Sequence, residues 1–284
     1  MGILTLQIVN GIIVGSVYAL VALGINLIWS ITDVPDFSQG GILVIAAYAG
    51  YFVITIAQLL FLAAVLIAMG VGASVAFLCE RILYRRWRGA VFNQLLCAIA
   101  LFFLMSNLAV VLWTPKAKFL PSYLPSRISL LGFYIKMERI IIVAAAAALF
   151  LFVYFFIMKT KIGKAIRAAS QDREIAEIMG INIDTVNSVV FSIGGALSGA
   201  AAMLTAPLYS IYPSMGDLPL LKSLVVVILG GLGSVGGILI CGMGLGVAES
   251  LGAFYVSSAY QHGYAFFILI LVLLFRPKGL FGRI

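Results

Sequence analysis

The side chains best equipped for polar chemistry in this 284-residue chain are gathered in a few places. Residues 163–184, GKAIRAASQDREIAEIMGINID, carry Lys164, Arg167, Asp172, Arg173, Glu174, Glu177 and Asp184, seven of only 28 charged residues. Charges of both signs with no nucleophile beside a base suit ion pairing and docking, not bond breaking. Asp172 is placed to cap a short helix, with Glu174 in its first turn. Ile175, Ile178 and Met179 recur at i, i+3 and i+4 and make one apolar face. Gly180 predicts the helix stop, followed by apolar Ile181. Asp184 or Thr185 is then available to cap the next helix. Two readings follow from the residues: an amphipathic connector lying on lipid, or a docking element whose spaced apolar anchors enter a groove on a soluble partner.

Other polar residues interrupt apolar runs. Asn10, Asn26, Asn107, Lys222 and Glu249 do so, and polar groups inside a membrane need partners or water. Lys222 is expected to snorkel outward from a helix end. Glu249, one turn after a glycine-rich run, is expected to pair within the membrane with a basic residue of this chain or of a partner. Asp33, Asp36, Ser38 and Gln39 follow the first apolar run. They either cap the segment starting at Gly40 or face a solute route. The run GGLGSVGG (230–237) is dense enough to break its helix and free backbone groups to line a cavity. Asn10, Asp36, Ser38, Gln39, Gly230, Gly231 and Gly233 therefore form the candidate translocation path. Pairs at small-xxx-small spacing (Gly11/Gly15, Gly195/Gly199, Gly233/Gly237, Gly242/Gly246) predict close helix approach.

Several chemistries are not supported. His262 is the single histidine, and Cys79, Cys97 and Cys241 have no CxxC spacing, so neither a metal ligand set nor a disulfide framework is expected. No nucleophile, base and metal constellation exists, so no catalytic or metal residue is assigned and the chain is not read as an enzyme. The glycine-rich run lacks the lysine of G-x-x-x-x-G-K-[ST], so ATP phosphates are not held that way and no cofactor is expected on this chain. The net charge of +8 reads as loops held beside anionic lipid, not as a nucleic-acid site.

The elements that position these residues are membrane helices. Mean hydropathy is +1.17 and 10% of residues are charged, against about a quarter in soluble domains. The apolar runs are long and lack strand alternation, which selects an all-α polytopic membrane protein. Candidate segments are 3–30, 40–57, 58–79, 92–113, 138–158, 187–207, 218–237, 238–256 and 262–275. That gives eight or nine, with the second and seventh as candidates for broken or re-entrant segments. The whole of 1–284 reads as one transmembrane domain with a loop over about 159–186. The first apolar run, with no basic residues before it and no evident cleavage site, is expected to be a membrane segment and not a removable signal. Twelve of the 18 Lys and Arg residues fall in 80–89, 159–173 and the tail FRPKGLFGRI, with Arg276, Lys278 and Arg283; short basic loops are cytoplasmic. Residues 114–137 then form a loop on the other side. The N-terminus lies outside if three segments precede Arg81, inside if 40–57 is re-entrant.

GKAIRAASQDREIAEIMGI (163–181) resembles the cytoplasmic coupling loop of branched-chain amino acid (Liv-type) permeases of ATP-binding-cassette importers, whose pattern runs G-[KR]-A-[LIM]-R-A-x-x-x-[DN]-x-x-x-A-x-x-x-G-I. NGIIVGSVYALVALGINLIW (10–29), VVVILGGLGSVGGILICGMGLGVAES (225–250) and LVLLFRPKGLFG (271–282) are similar to other family segments. Where the family commonly has N-F-A-H-G, this chain has DFSQG, with Asp36 for the asparagine and Gln39 for the histidine. The resemblance implies coupling to an ATPase subunit through Gly163, Arg167, Ala168, Asp172, Glu174, Ala176, Ile178, Met179, Gly180 and Ile181. It implies a second homologous permease subunit in a heterodimer, two cytoplasmic ATP-binding subunits carrying ATP and magnesium, and a periplasmic substrate-binding protein. It places the chain in a bacterial inner membrane, importing branched-chain amino acids; urea, short amides and aromatic acids are alternatives within the family. A stand-alone secondary transporter or channel is the alternative from another class.

Overall fold

The computed structural model describes residues 2–58, 60–120, 127–130 and 133–282. Arg283 and residues 121–126 and 131–132 of the long loop lie outside the described residues. The long helices are α1 (Gly2–Thr32), α2 (Ser38–Thr55), α3 (Phe61–Ile82), α4 (Val91–Trp113), α5 (Met137–Lys159), α8 (Ile183–Thr205), α10 (Val235–Tyr255) and α11 (Gln261–Phe275). Counting the short turn before α11, all eight are long and apolar enough to cross a membrane. Helix α9 (Asp217–Gly230) has 14 residues. At 1.5 Å per residue it reaches about 21 Å, short of the roughly 30 Å hydrocarbon core. The seventh predicted segment is thus the broken one, and the second runs uninterrupted as α2.

Helices α1, α2 and α8 are mostly buried, whereas α3, α4, α5 and α11 bury only a minority of their residues. A helix apolar on all sides belongs at the centre of a bundle, which is how α1 is placed. It crosses α10 in antiparallel fashion through the glycine pairs. A Cβ added at Gly11 would lie 2.5 Å from Val247 Cα, and one at Gly15 would lie 2.9 Å from Met243 Cα. Helices α3 and α8 meet the same way, with Gly72 facing Gly195 and Gly199 facing Ala68 and Met69. Lipid tails supply no hydrophobic drive between helices, so backbone-to-backbone packing of this kind carries the association. The pair Gly233/Gly237 behaves differently: a Cβ at Gly233 would meet nothing within 4 Å, because that pair straddles the break between α9 and α10.

The break is covered by the C-terminal tail. Leu280 N donates to Leu229 O at 2.8 Å, satisfying a carbonyl that the end of α9 leaves open. Gly231 has φ +81° and Gly282 packs so closely that a Cβ there would lie 2.6 Å from Gly282 Cα; only glycine meets both demands. Asn26 Oδ1 accepts from Gly233 N at 3.0 Å. The tail therefore sits at the end of the bundle where α1 finishes, and the start of α1 lies at the opposite end. Three passes precede Arg81, which selects the arrangement with the N-terminus on the side away from the basic loops. The expected loop 114–137 contains a small hairpin, β1 (Arg127–Leu130) paired antiparallel with β2 (Phe133–Lys136).

Candidate functional site: a coupling loop and a charged cavity

At the basic end, α5 turns into α6 (Lys161–Ala169) and then α7 (Arg173–Ile178). Thr160 caps α6, its hydroxyl accepting from Gly163 N at 2.9 Å. Gly163 is demanded by this corner, since a Cβ would lie 2.5 Å from the Phe156 carbonyl oxygen. Asp172 caps α7 by accepting from Ile175 N at 2.9 Å. The helix ends in a Schellman arrangement: Gly180 N donates to Glu177 O at 2.9 Å and Ile181 N to Ala176 O at 3.0 Å. Gly180 sits at φ +84°, where a side chain would be strained. Ala176 is buried, Ala168 and Ile181 half-buried, and these hold the loop to the bundle. Ile175, Ile178 and Met179 point away from it, at 59%, 84% and 77% exposure. Asp172 and Glu174 are exposed beside them, while Arg167 is half-buried and directs Nη1 toward Met158 Sδ at 3.5 Å.

The next helix is capped by Asn182, whose Oδ1 accepts from Thr185 N at 3.1 Å. This corrects the expectation that Asp184 or Thr185 serves as the cap. Asp184 is used elsewhere: it pairs with both Arg85 and Arg88, which lie beyond the end of α3. Arg88 also bonds buried Glu80 at 2.5 Å, and Glu80 Oε2 accepts from Ser188 Oγ at 2.7 Å. Two arginines read as lipid-facing thus clamp α3 to the first turns of α8, directly after α7. Nothing in the local sequence spacing could find this network, because its members are about 100 residues apart.

The DFSQG stretch folds into a closed knot. Asp36 Oδ1 accepts from Ser38 N at 3.0 Å, Ser38 Oγ at 2.6 Å and Tyr84 Oη at 2.6 Å; Oδ2 accepts from Gln39 Nε2 at 2.9 Å. Gln39 Oε1 accepts from Ser198 Oγ at 2.7 Å. Asp36, Ser38 and Gln39 are all at most 1% exposed. The carboxylate is thus satisfied by the first amide of α2 and by neutral donors. The knot ties the α1–α2 turn to α3 and α8. Tyr84→Phe should cost about 1–3 kcal/mol of stability by leaving the carboxylate one donor short in a buried site. The check is a lower melting temperature of the purified protein.

Near the opposite end, two adjoining cavities of about 410 and 400 Å³ open between α1, α9, α10 and the 206–216 segment. The first is lined by Asn10, Arg139, Glu249 and Ser250 among others, the second by Tyr18, Tyr209, Lys222 and His262. Lys222 does not snorkel: it is 2% exposed and its Nζ donates to Glu249 Oε2 at 2.7 Å and to Tyr18 Oη at 3.1 Å. Eight residues before the end of a short helix inside the bundle, the lysine pairs with a carboxylate instead of reaching for the membrane surface. Arg139 donates to Asn10 Oδ1. Of the candidate path residues, Asn10 alone lines these cavities. The Asp36–Gln39 knot and Gly230, Gly231 and Gly233 lie elsewhere, and the structure does not bring the seven together. A group of three or more metal-ligating side chains is absent among the described residues.

Comparison with known proteins bears on this arrangement. The family described as branched-chain amino acid transport system / permease component matches residues 7–275. The high-affinity branched-chain amino acid transport system permease protein BraD of Pseudomonas aeruginosa is 33% identical over 98% of this chain and 95% of its own length. The corresponding permease protein LivH of Escherichia coli strain K12 is 30% identical over the same shares. Among solved structures, PsaBC from Streptococcus pneumoniae in complex with Fab aligns with a TM-score of 0.52 over 95% of this chain and 91% of that one, at 15% identity, a likeness of fold.

Proposed function

This chain belongs to the family of branched-chain amino acid transport system permease components, and we propose that it is the membrane-spanning permease of an ATP-binding-cassette importer for such amino acids. It is a multi-pass membrane protein whose basic end faces the cytoplasm of a bacterial inner membrane. A second, homologous permease subunit completes the pore, two ATP-binding subunits dock on the coupling loops and hydrolyse ATP with magnesium, and a periplasmic binding protein delivers the solute to the far end.

The observation that carries this reading is α7: a capped helix at the basic end, with Ile175, Ile178 and Met179 exposed in one patch. Three apolar side chains at helical spacing, rimmed by Asp172 and Glu174, are what a groove on a soluble protein grips. Helix α7 runs into α8 through the short Gly180–Asn182 corner. Movement of a docked subunit therefore reaches α8, and through the Asp184–Arg88–Glu80 clamp it reaches α3. At the far end, solute meets the charged cavities beside α1.

Reconstitution decides the matter. With its partner permease, ATPase and binding subunits in proteoliposomes, the chain should accumulate L-leucine only when ATP and the binding protein are both present. Accumulation by this chain alone, driven by an ion gradient, would establish the stand-alone carrier instead.

A further inference from the structure

The first cavity presents both signs of charge within one chamber. Glu249 lines it and so does Arg139. Glu249 spends Oε2 on Lys222, while its Oε1, buried, has no partner among the described residues. A carboxylate oxygen without a donor in a buried place is rare in a native structure and calls for an explanation. Arg139 gives one N–H to Asn10 and has further donors, since a guanidinium carries five. Both charges reach the same neighbour: the phenol of Tyr209, in the 206–216 segment, is pushed above its usual range by burial first, with Glu249 adding to the shift and Arg139 opposing it. Ile13, Leu208 and Phe254 supply apolar wall. The volume of about 410 Å³ is at the small end of the roughly 300–1,000 Å³ typical of ligand pockets.

We propose that this cavity is a transient site for the zwitterionic head group of an α-amino acid, whose ammonium meets Glu249 Oε1 and whose carboxylate meets Arg139. Lys222, which lines the second cavity, draws on Glu249 from the other side and keeps the hold weak. A carrier site must be weak, because tight capture slows release. The solute then passes along the Lys222–Glu249 pair into the second chamber, where the ammonium of Lys222 takes over its carboxylate. The proposal rests on the reading of this chain as an amino-acid permease.

The test uses the complete reconstituted transporter and L-leucine. Removing Glu249 alone would strand a buried lysine, and breaking one half of a buried pair is strongly destabilising, whereas replacing both halves by apolar groups is often tolerated. The informative variants are therefore the double substitution Lys222→Met with Glu249→Met, and Arg139→Gln at a half-buried position. Each should leave complex yield and the binding protein's affinity unchanged and lower leucine uptake by about tenfold or more, the scale expected when a charged hydrogen bond to a ligand is lost. Binding of radiolabelled leucine to the purified permease–ATPase complex without the binding protein should also be displaced by leucine better than by isopentylamine or 4-methylpentanoate, and Arg139→Gln should erase the advantage over isopentylamine. Uptake by Arg139→Gln at the parental rate, or a double variant that assembles and transports normally, overturns the site and leaves the pair a packing element. Failure of the parental complex to move leucine at all overturns instead the amino-acid reading, and this site with it.

Discussion

Uptake should be lost, with the permease still accumulating in the membrane, when Ile178 and Met179 are both replaced by aspartate. These side chains are 84% and 77% exposed and touch nothing that holds the bundle together. Surface substitutions of that kind usually shift stability by only about 0.5 kcal/mol. The cost falls on docking. Burying each side chain in a partner groove is worth about 1.5–3 kcal/mol, and a carboxylate in the same groove adds a desolvation penalty. Together they weaken ATPase attachment by more than about a hundredfold. Co-purification of the ATPase subunits reads the effect directly. Gly180→Pro should give the same loss by another route, since proline cannot adopt φ +84°. If the double aspartate variant co-purifies and transports normally, α7 lies on lipid and the connector reading of this segment holds.

The local structure of the 159–186 loop was legible in the sequence because every signal in it is local. Asp172, the Ile175–Ile178–Met179 spacing and Gly180 specify a capped six-residue helix with one apolar face, and no distant residue overrides them. The membrane segments were legible for the same reason, although of the two glycine-containing segments singled out as broken only the seventh falls short, as α9, and the second runs through as α2. What escaped the sequence depends on juxtaposition. Asp184 looks like a helix cap until Arg85 and Arg88 arrive from the turn after α3 and Asn182 takes the cap. Lys222 looks like a snorkelling residue until Glu249 is brought beside it from α10. The DFSQG stretch offers polar groups that could face a solute; Tyr84 and Ser198 close over them instead. Arg139, on the α5 end that follows the long loop, carries no signal of its own, and its place in the cavity comes only from the packing of α5 on α1. A lone intramembrane carboxylate is nonetheless a strong prompt to look for a cation, and Glu249 justified that search.

The glycines of α10 read alike in the sequence and should behave oppositely on substitution. Gly246 faces α1, where a Cβ would lie 2.6 Å from the Cα and N of Gly15. Those are backbone atoms, so no rotamer change relieves the clash. Gly242 faces Ala19, with its Cβ at 2.7 Å. Gly244, between them, faces open space within 4 Å. Gly246→Val must therefore push α10 off α1 by more than an ångström along the most extensive contact α1 makes, at a cost at or above the roughly 1–3 kcal/mol of ordinary overpacking. In a membrane no hydrophobic term closes the gap again, because lipid fills it as readily as a helix does. Gly244→Ala should be neutral or gain up to about 1 kcal/mol from helix propensity. The expected result is a severalfold or larger loss of folded Gly246→Val permease after detergent extraction, and parental recovery of Gly244→Ala. The position also bears on transport. Glu249 lies three residues beyond Gly246 on the same helix, so a displaced α10 carries the carboxylate away from the α1 wall of its cavity. Any Gly246→Val protein that does survive extraction should consequently move leucine poorly even with ATPase subunits attached. Normal transport by that surviving fraction would mean that the α1–α10 contact serves folding alone and that the cavity beside it tolerates a shift of its charged wall.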